Sequence, residues 1–242
     1  MNNIGFGIFC FGQDYYYKGA KEKINHLLSA GLSVYVLTDK PEEFTEVSVI
    51  QYNRHLKSYS DKMILPKYIL KNHNICILLD ADTHVTDYSF LESLKTYKFK
   101  KGVTYIDTLL NHNAKKEFVK DLVDETNPEW KTYVQYASKL YPPFFNFETM
   151  WEYFLVINKD GFDMDSFYYY YEKLQVVKEY SDLPLKKEVS GAGEGISIQI
   201  SCKSANMEIQ RDTELYKLLE GKMISISRRH TPQHLWPNWM RW

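Results

Sequence analysis

The alternation of apolar and polar positions is clearest in the first hundred residues, where short apolar runs are separated by polar segments with helical spacing. Five apolar residues stand in a row from Ile75 to Leu79, and an uninterrupted run of this length predicts a strand buried on both faces, as in a parallel sheet. The apolar segments Ile4–Phe11, Leu32–Leu37 and Val47–Tyr52 predict three further strands. These four segments are expected to form one sheet.

Helical spacing connects these strands. Ala20, Ile24 and Leu27 recur at helical intervals, with Asp14 as the predicted N-cap and Gly31 as the predicted stop. Further elements are predicted as a helix at Ser60–Lys71, whose register is left open by Pro66, a helix at about Ser89–Tyr97 and a strand at Gly102–Ile106. The order β-α-β-β-α-β-α-β predicts a layered α/β sheet with right-handed crossovers.

The second half of the chain has weaker patterns. Its predicted elements are a polar helical region at Asn111–Leu140, split near Pro128, a strand within Trp151–Asn158, a Tyr-rich helix at Asp163–Tyr180, a Gly-rich loop at Ser190–Gly195, a segment Ile196–Met207 for which a helix is favoured over a strand, a short helix at Glu214–Leu219 and a short strand at Met223–Ser227. No linker or repeat divides the sequence, so we expect a single domain.

Composition narrows the class of protein. The chain has 242 residues, is 44% hydrophobic and carries a net charge of −1, which favours one domain with a sizeable core and does not indicate nucleic-acid binding. Cys10, Cys76 and Cys202 lie in apolar segments and are interpreted as buried thiols of a reducing compartment. The sequence has neither a signal-peptide pattern nor an apolar run that approaches a membrane span, so a cytoplasmic location is expected.

Two aspartates follow the central apolar run. Asp80 and Asp82 are one residue apart, where the predicted strand leaves the sheet, which is the edge at which α/β proteins bind ligands. Carboxylates this close repel each other, and a hard divalent cation relieves the repulsion while offering a docking point for phosphate oxygens. The alternative interpretation is a solvated turn in which one aspartate caps a following helix.

The order of these elements resembles the GT-A fold of glycosyltransferases, the nucleotide-diphospho-sugar transferases. The residues that carry the resemblance are Ile4–Phe11, Val34–Asp39, Asp61-Lys62 and Leu78–Asp82, and Trp151–Asn158 fits the acceptor-side strand of such enzymes. The pattern is similar to retaining families that include the histo-blood-group and glycogenin-like transferases. It implies one Rossmann-like GT-A domain over residues 1–242, with a mostly parallel central sheet and helices on both faces. Residues 1–110 would form the nucleotide-sugar half, and residues 111–242 the acceptor half and C-terminal tail.

The resemblance also implies a metal cofactor and its ligands. In the family the two aspartates bind a divalent metal, usually Mn²⁺ and otherwise Mg²⁺, that bridges the donor diphosphate, which assigns Asp80 and Asp82 as metal ligands and places Ala81 between them in the donor site. A histidine near the C-terminus often completes the metal shell, and His230 or His234 is available for this role.

The resemblance also implies which residues contact the base, the ribose and the diphosphate of the donor. The end of the first strand implies base contacts from Phe11, Gly12 and the tyrosines Tyr15–Tyr17, and the aspartate after the second strand, Asp39, implies a contact to base or ribose. On the helix before the aspartates, the resemblance implies that Lys62 neutralises the diphosphate or pairs with an aspartate. Arg228 belongs to the basic cluster Arg228-Arg229-His230, which suits phosphate binding or is simply a solvated basic tail.

Sugar transfer also needs a carboxylate near the anomeric carbon, where positive charge develops. Glu194 is our candidate, because flanking glycines allow close approach of backbone to a ligand; the alternative is an ordinary acidic residue at a helix start. Glu188 and Glu152 are second candidates. Trp151 and Glu152 are assigned to the acceptor side, where Trp151, Tyr153 and the tyrosines 168–171 form either an aromatic acceptor platform or ordinary core. Retention or inversion of configuration is left open.

The sequence thus favours a metal-dependent glycosyltransferase that moves a hexosyl or N-acetylhexosaminyl group from a nucleoside-diphosphate sugar, expected to be a UDP-sugar, to a glycan or glycolipid in bacterial surface-polysaccharide synthesis. Two alternatives share the fold, a sugar nucleotidyltransferase and a non-catalytic nucleotide- or glycan-binding protein. The basic, Trp-rich tail from Arg228 to Trp242 suggests either peripheral contact with a membrane surface or a cover over the donor site.

Overall fold

The computed structural model describes residues 2–52, 59–106, 153–180 and 190–225. Its strands are β1 (Ile4–Cys10), β2 (Ser33–Thr38), β3 (Ser48–Gln51), β4 (Ile75–Asp80), β5 (Thr83–Val85), β6 (Gly102–Tyr105), β7 (Phe154–Asn158), β8 (Ile209–Arg211) and β9 (Met223–Ser225). Its helices are α1 (Asp14–Ser29), α2 (Leu65–Asn72), α3 (Phe90–Leu94), α4 (Met164–Tyr180), α5 (Ser190–Ser204) and α6 (Thr213–Leu219), and 3₁₀ turns cover Pro41–Glu43 and Tyr59–Ile64.

Seven of these strands form one central sheet in the order β3-β2-β1-β4-β7-β6-β8. The neighbours β3, β2, β1 and β4 are mutually parallel, and β6 is parallel to β8. Strand β7 pairs antiparallel with both β4 and β6, so among the described strands of this sheet it alone runs against the others. The predicted class, a mostly parallel α/β sheet, is confirmed.

Helices cover both faces of the sheet, as predicted. One face packs against α1, α3 and α6 through residues such as Ile24, Phe90 and Leu215. The other packs against α2, α4 and α5 through residues such as Ile69 and Phe167. The central strands β1 and β4 are buried from end to end apart from the half-buried Asp80, which explains why their sequences are continuously apolar.

Close packing of α2 on the sheet requires glycine in β1. A Cβ atom added at Gly7 would lie 2.8 Å from Leu78 Cδ2 and 2.9 Å from Ile69 Cδ1, distances too short for a packed interior. The glycine in this apolar strand therefore marks where the helix approaches the sheet most closely.

The helix boundaries correct two predictions. Asp14 is the first residue of α1 and Gln13 occupies the cap position, without a capping hydrogen bond from its side chain, so Asp14 acts through the helix dipole instead. The predicted Gly-rich loop Ser190–Gly195 is wrong, because these residues form the first turns of α5. The predicted stop after α1 is confirmed, since Gly31 has a φ of +71° just past the helix end.

Two short strands have no counterpart in the sequence analysis. β8 adds to the edge of the central sheet beside β6. β5 follows the two aspartates directly and pairs antiparallel with β9, with Thr83 opposite Ser225. The predicted helical region 111–140 lies outside the described residues. None of the described helices combines the length and the apolar character that crossing a membrane requires.

Candidate active site

The carboxyl ends of three parallel strands bring the candidate residues together. Cys10 is the register partner of Thr38, and Phe9 is the register partner of Asp80. Phe11, Asp39 and Asp80 therefore stand at the ends of three adjacent strands, at one edge of the sheet. This is the edge at which an open α/β sheet places its ligands.

The acid pair occupies the turn between β4 and β5. Asp80 ends β4 and Asp82 lies in the turn, and both residues are half-buried, while the side chain of Ala81 between them is buried. Burial, together with the neighbouring Asp80 carboxylate, raises the pKa of Asp82 well above its usual range. The second negative charge of the pair is therefore costly in this turn, and a cation bound there would stabilise it.

Lys62 supplies one positive charge beside the acid pair. The 3₁₀ turn Tyr59–Ile64 directs it toward β4, where its Nζ lies 3.0 Å from Oδ1 of Asp80 while the residue is only 5% exposed. The adjacent Asp61 is fully buried and accepts a hydrogen bond from the hydroxyl of Tyr52. Lys62 is thus buried beside the acid pair, and the turn that carries it is fixed by the buried hydrogen bond between Tyr52 and Asp61.

Lys23 is a second lysine at this turn, and the sequence analysis missed it. Its side chain projects from the buried face of α1, is fully buried, and donates hydrogen bonds from Nζ to the carbonyl oxygens of Gly19 at 2.9 Å and Ala81 at 2.8 Å. The signal was present, since Lys23 falls between Ala20 and Leu27 on the apolar stripe of the helix, where a charged residue is unexpected.

A tyrosine connects the end of β1 with the end of β2. The hydroxyl of Tyr17 accepts a hydrogen bond from the backbone N–H of Gly12 at 2.8 Å and donates one to Oδ1 of Asp39 at 2.6 Å. Gly12 has a φ of +85°, which favours glycine at this position. Lys40 lies 4.3 Å from the centre of the Tyr17 ring. Three of the predicted donor-site residues, Gly12, Tyr17 and Asp39, are therefore joined by hydrogen bonds.

Aromatic rings line the same edge. Phe11 is half-buried and stacks on Phe9, with ring centres 4.8 Å apart, and Tyr52 lies 5.4 Å from Phe11. Tyr15, in the first turn of α1, is half-buried and packs against Tyr16 with ring centres 4.1 Å apart. Phe11 and Tyr15 thus each combine packing contacts with a partly open ring.

The acceptor-side strand lies directly beside the acid pair. Because β7 is antiparallel, its first residues lie at the carboxyl edge of β4, and the backbone N–H of Asp80 donates to the carbonyl oxygen of Tyr153 at 3.1 Å. Trp151 and Glu152 immediately precede Tyr153 in sequence but lie outside the described residues. Among the tyrosines proposed as an acceptor platform, Tyr153, Tyr168 and Tyr171 are buried in the core, while Tyr169 is 57% exposed.

Other predicted site residues are not described. Arg228, His230 and His234 lie beyond residue 225, and Glu188 lies between α4 and α5. Glu194 belongs to the first turns of α5, but its side chain is outside the described part of the molecule. Their predicted roles remain predictions.

The acid pair suits a metal that is shared with a ligand. Within residues 2–52, 59–106, 153–180 and 190–225, no group of three or more His, Cys, Asp or Glu side chains is placed to hold a metal. Two carboxylates are fewer than a closed protein cage needs, but Mg²⁺ is commonly held by one or two carboxylates together with substrate phosphates. The residues present therefore fit a divalent cation whose shell is completed by another group.

The fold and site together define an α/β protein with a paired-carboxylate site, supported by two lysines, at the carboxyl edge of its sheet. No family model and no curated protein matches the sequence. Among solved structures, the chain is similar to a protein from Desulfovibrio desulfuricans G20 assigned as a nucleotide-diphospho-sugar transferase, with 10% identity over 88% of this chain and 80% of that one and a TM-score of 0.41.

Two further solved structures are similar in the same range. Mouse xyloside xylosyltransferase 1 in its apo form has 11% identity, covers 95% of this chain and 99% of its own, and gives a TM-score of 0.47. The glycosyltransferase GlyE of Streptococcus pneumoniae TIGR4 has 11% identity over 89% of this chain and 46% of its own, with a TM-score of 0.45. At this level of similarity, the functional conclusion depends on the site itself.

Proposed function

We propose that the protein is a metal-dependent glycosyltransferase that moves a sugar from a nucleoside-diphosphate donor to a hydroxyl group of a glycan or glycolipid. The observation that carries the proposal is the pair Asp80 and Asp82 at the carboxyl edge of β4, with Nζ of Lys62 3.0 Å from Asp80. The pair offers hard oxygen ligands and the lysine offers a positive charge for a phosphate, so the site suits a metal–diphosphate group.

The metal site in this proposal consists of Asp80, Asp82 and His230, with Mn²⁺ or Mg²⁺ as the ion. When bound, the ion supplies positive charge that stabilises the leaving diphosphate. Strand pairing supports the contribution of His230, because Ser225 lies opposite Thr83 and the chain therefore leaves β9 beside Asp82. Five further residues span at most about 18 Å, an upper limit that is compatible with this assignment of His230.

The diphosphate is assigned to Lys62 and Arg228. Lys62 contacts Asp80 in the structure, which supports its assignment to the diphosphate beside the proposed metal, and its ammonium group suits phosphate oxygens. Arg228 follows Ser225 by three residues, a span of at most about 11 Å. Both cations would stabilise the negative charge that develops as the glycosidic bond breaks.

The base and ribose of the donor are assigned to Phe11, Gly12, Tyr15 and Asp39, with Ala81 lining the site between the metal ligands. Tyr17 supports this assignment, because its hydrogen bonds to Gly12 and Asp39 hold the two strand ends at a fixed separation. The partly open ring of Phe11 is available for stacking on a base. UDP is the nucleotide we propose, on the sequence resemblance alone.

The acceptor side is assigned to Trp151, Glu152 and Glu194. Trp151 and Glu152 precede Tyr153, whose carbonyl oxygen accepts from the N–H of Asp80, and this adjacency in sequence supports the assignment. Helix α5 leads into the amino end of β8, which supports an orientation with the first turn, and Glu194, toward the carboxyl edge. In this role Glu194 stabilises the positively charged anomeric carbon or accepts the proton of the acceptor hydroxyl.

The setting we propose is bacterial surface-polysaccharide synthesis in the cytoplasm, with hexosyl or N-acetylhexosaminyl transfer. The basic, Trp-rich tail from Arg228 to Trp242 is the segment proposed to meet a membrane surface that carries a lipid-linked acceptor. These details follow the sequence resemblance and the composition of the tail.

A thermal-shift screen of nucleoside diphosphates, each with and without Mn²⁺, tests the proposal. A ligand that binds only the folded chain raises the melting temperature by mass action. We expect one nucleotide to stabilise the protein in the presence of Mn²⁺ and to do so much less in EDTA. A follow-up assay with the matching nucleotide sugar should show slow, Mn²⁺-dependent hydrolysis. Binding without turnover would indicate a non-catalytic binding protein, and no stabilisation by any nucleotide would contradict the proposal.

A further inference from the structure

Lys23 is a buried charged group to which the proposed chemistry assigns no part. It lies in the middle of α1 among the buried residues Gly19, Ala20, Ile24 and Leu27, and its own exposure is 0%. Burying an ammonium group is unfavourable unless its hydrogen bonds are satisfied. An apolar residue of similar length would fill this position without that cost, so the charge at this position calls for an explanation beyond packing.

The contacts of Lys23 point to the acidic turn. Nζ donates to the carbonyl oxygen of Gly19, one turn earlier in its own helix, and to the carbonyl oxygen of Ala81 at 2.8 Å. Burial lowers the pKa of Lys23 to about 8, while attraction to Glu22, Asp82 and Asp80 partly opposes that shift. The ammonium group is therefore close enough to both carboxylates to interact with them, and one of its hydrogen bonds is to the backbone carbonyl between them.

That hydrogen bond fixes a particular peptide plane. The carbonyl of Ala81 and the N–H of Asp82 belong to one rigid peptide unit, so holding the carbonyl restricts ψ of Ala81 and φ of Asp82. These angles set the direction in which Asp82 leaves the backbone relative to Asp80. The side chain of Ala81 is 2% exposed and packs in the same core as α1, which further restrains the turn.

We propose that Lys23 is a positioning residue for the acid pair. By binding the Ala81 carbonyl from inside the protein, it fixes the turn, and with it the relative orientation of the two carboxylates, before a metal arrives. This inference rests on the proposed function, because it takes Asp80 and Asp82 as ligands of a divalent cation. A competing effect has the opposite sign, since the positive charge of Lys23 by itself repels a metal ion.

The sign of the effect on Mn²⁺ affinity decides between these two roles. Lys23→Met keeps the length of the side chain but removes both its charge and its donors, whereas Lys23→Gln removes the charge and retains an amide donor. Leu27→Ala is the matched control, because Leu27 is 1% exposed on the same helix face and lies outside the site. Mn²⁺ binding is measured by electron paramagnetic resonance of free Mn²⁺, with and without UDP, alongside the melting temperature of each variant.

We expect Lys23→Met to weaken Mn²⁺ binding by about 10-fold to 100-fold, the range typical for residues that orient metal ligands. Lys23→Gln should weaken it less, because an amide can still donate to Ala81. Leu27→Ala should lower the melting temperature, because it leaves a cavity in the core, and should leave Mn²⁺ affinity within about twofold, because the apolar Leu27 side chain has no donor for the Ala81 carbonyl. Unchanged or tighter Mn²⁺ binding by Lys23→Met would overturn the proposal and leave Lys23 with a structural or repulsive role.

Should Lys23→Met fail to fold, the wild-type chain still decides the matter. Nuclear magnetic resonance should show the ¹⁵N signal of the buried Lys23 ammonium, hydrogen-bonded to the Ala81 carbonyl, both before and after saturation with Mg²⁺ and UDP. Loss of that hydrogen bond on metal binding would contradict a positioning role. A wild-type chain that binds no Mn²⁺ at all, with or without UDP, overturns the proposed function as well, so the two failures are distinguishable.

Discussion

The two edges of the parallel half of the sheet use polar side chains in opposite ways. At the amino edge, neutral side chains form hydrogen bonds with one another and with the backbone. Asn3 donates from Nδ2 to the carbonyl oxygen of Asn72 at 2.7 Å, Nδ1 of His73 lies 2.6 Å from Oδ1 of Asn3, and the hydroxyl of Tyr35 lies 3.2 Å from Nε2 of His73. At the carboxyl edge, the acid pair and its lysines concentrate charge at one turn.

The difference separates a structural edge from a candidate binding edge of the same sheet. Neutral amide and imidazole groups at the amino edge pair with one another and with backbone, so they stabilise without attracting an ionic ligand. At the carboxyl edge, Asp80 and Asp82 are half-buried and electrostatically unfavourable together, which an incoming cation would relieve. Substitutions at the two edges should therefore have opposite consequences for ligand binding and for stability.

The largest effect is expected at the acid pair. Asp80→Asn or Asp82→Asn removes a charged metal ligand, and the loss of metal-assisted charge stabilisation should reduce Mn²⁺-dependent turnover of the nucleotide sugar by roughly a hundredfold or more. The melting temperature should stay the same or rise for Asp82→Asn, because repulsion with Asp80 is relieved. Steady-state assays and thermal melts check both parts. Undiminished turnover in either variant would contradict the role of the pair.

A smaller effect is expected at Lys62. Lys62→Met removes the ammonium group proposed for the diphosphate, and a charge-assisted hydrogen bond contributes about 1.5–3 kcal/mol, so nucleotide affinity with Mn²⁺ present should fall by about 10-fold to 100-fold. The matched control is Lys67→Met, since Lys67 lies on α2 and pairs with the exposed Glu172 at 3.1 Å. Calorimetry should find the control unchanged. Equal losses of nucleotide affinity in both variants would contradict the assignment of Lys62 to the diphosphate.

Asp212 is an aspartate with a structural role, and it provides a contrast to the acid pair. Asp212 follows β8 and caps α6, where its Oδ1 accepts from the N–H groups of Glu214 and Leu215, both at 3.1 Å. Asp212→Ala should lower the free energy of unfolding by about 1 kcal/mol, as for other lost caps, without changing nucleotide or Mn²⁺ affinity. Denaturant melts and calorimetry test the two halves of this prediction. A large loss of Mn²⁺ affinity would place Asp212 in the site instead.

The smallest effect is expected at the amino edge and depends on pH. Burial lowers the pKa of His73, so the folded chain binds a proton there less readily than the unfolded chain. The stability contributed by neutral His73 is therefore fully present above the unfolded pKa of about 6.5 and is lost as the pH falls through the lower folded value. His73→Gln should flatten the pH dependence of stability below that pH and leave nucleotide affinity unchanged at pH 8. An identical pH dependence in both proteins would contradict this prediction, because it would show that the pKa of His73 does not change on unfolding.

Much of the parallel half of the sheet could be predicted from sequence, because its strands carry long apolar runs. The runs around Ile8 and Ile77 report burial on both faces, and the position of Asp80 at a strand end follows from them. Strands β5 and β8 have three residues each, too few for a periodic pattern. They form because distant segments supply their partners, which local sequence does not reveal.

The candidate site was only partly predictable for a related reason. Asp80, Asp82 and Lys62 stood out by residue type and order, whereas the contact of Lys23 with Ala81 joins positions 58 residues apart. The Gly-rich stretch before Ile196 was predicted as a loop from glycine content alone, yet it is helical in α5. Helix packing against α4 and β8 overrides the weak intrinsic preference of those glycines.

The most direct test of the central claim is calorimetric titration with the nucleoside diphosphate selected by thermal shift, in Mn²⁺ and in EDTA, for the wild type and for Asp82→Asn. If the acid pair holds a metal that binds the diphosphate, wild-type affinity should be at least about tenfold higher in Mn²⁺ than in EDTA, and Asp82→Asn should lose most of that difference. Equal wild-type affinities under the two conditions would contradict the account.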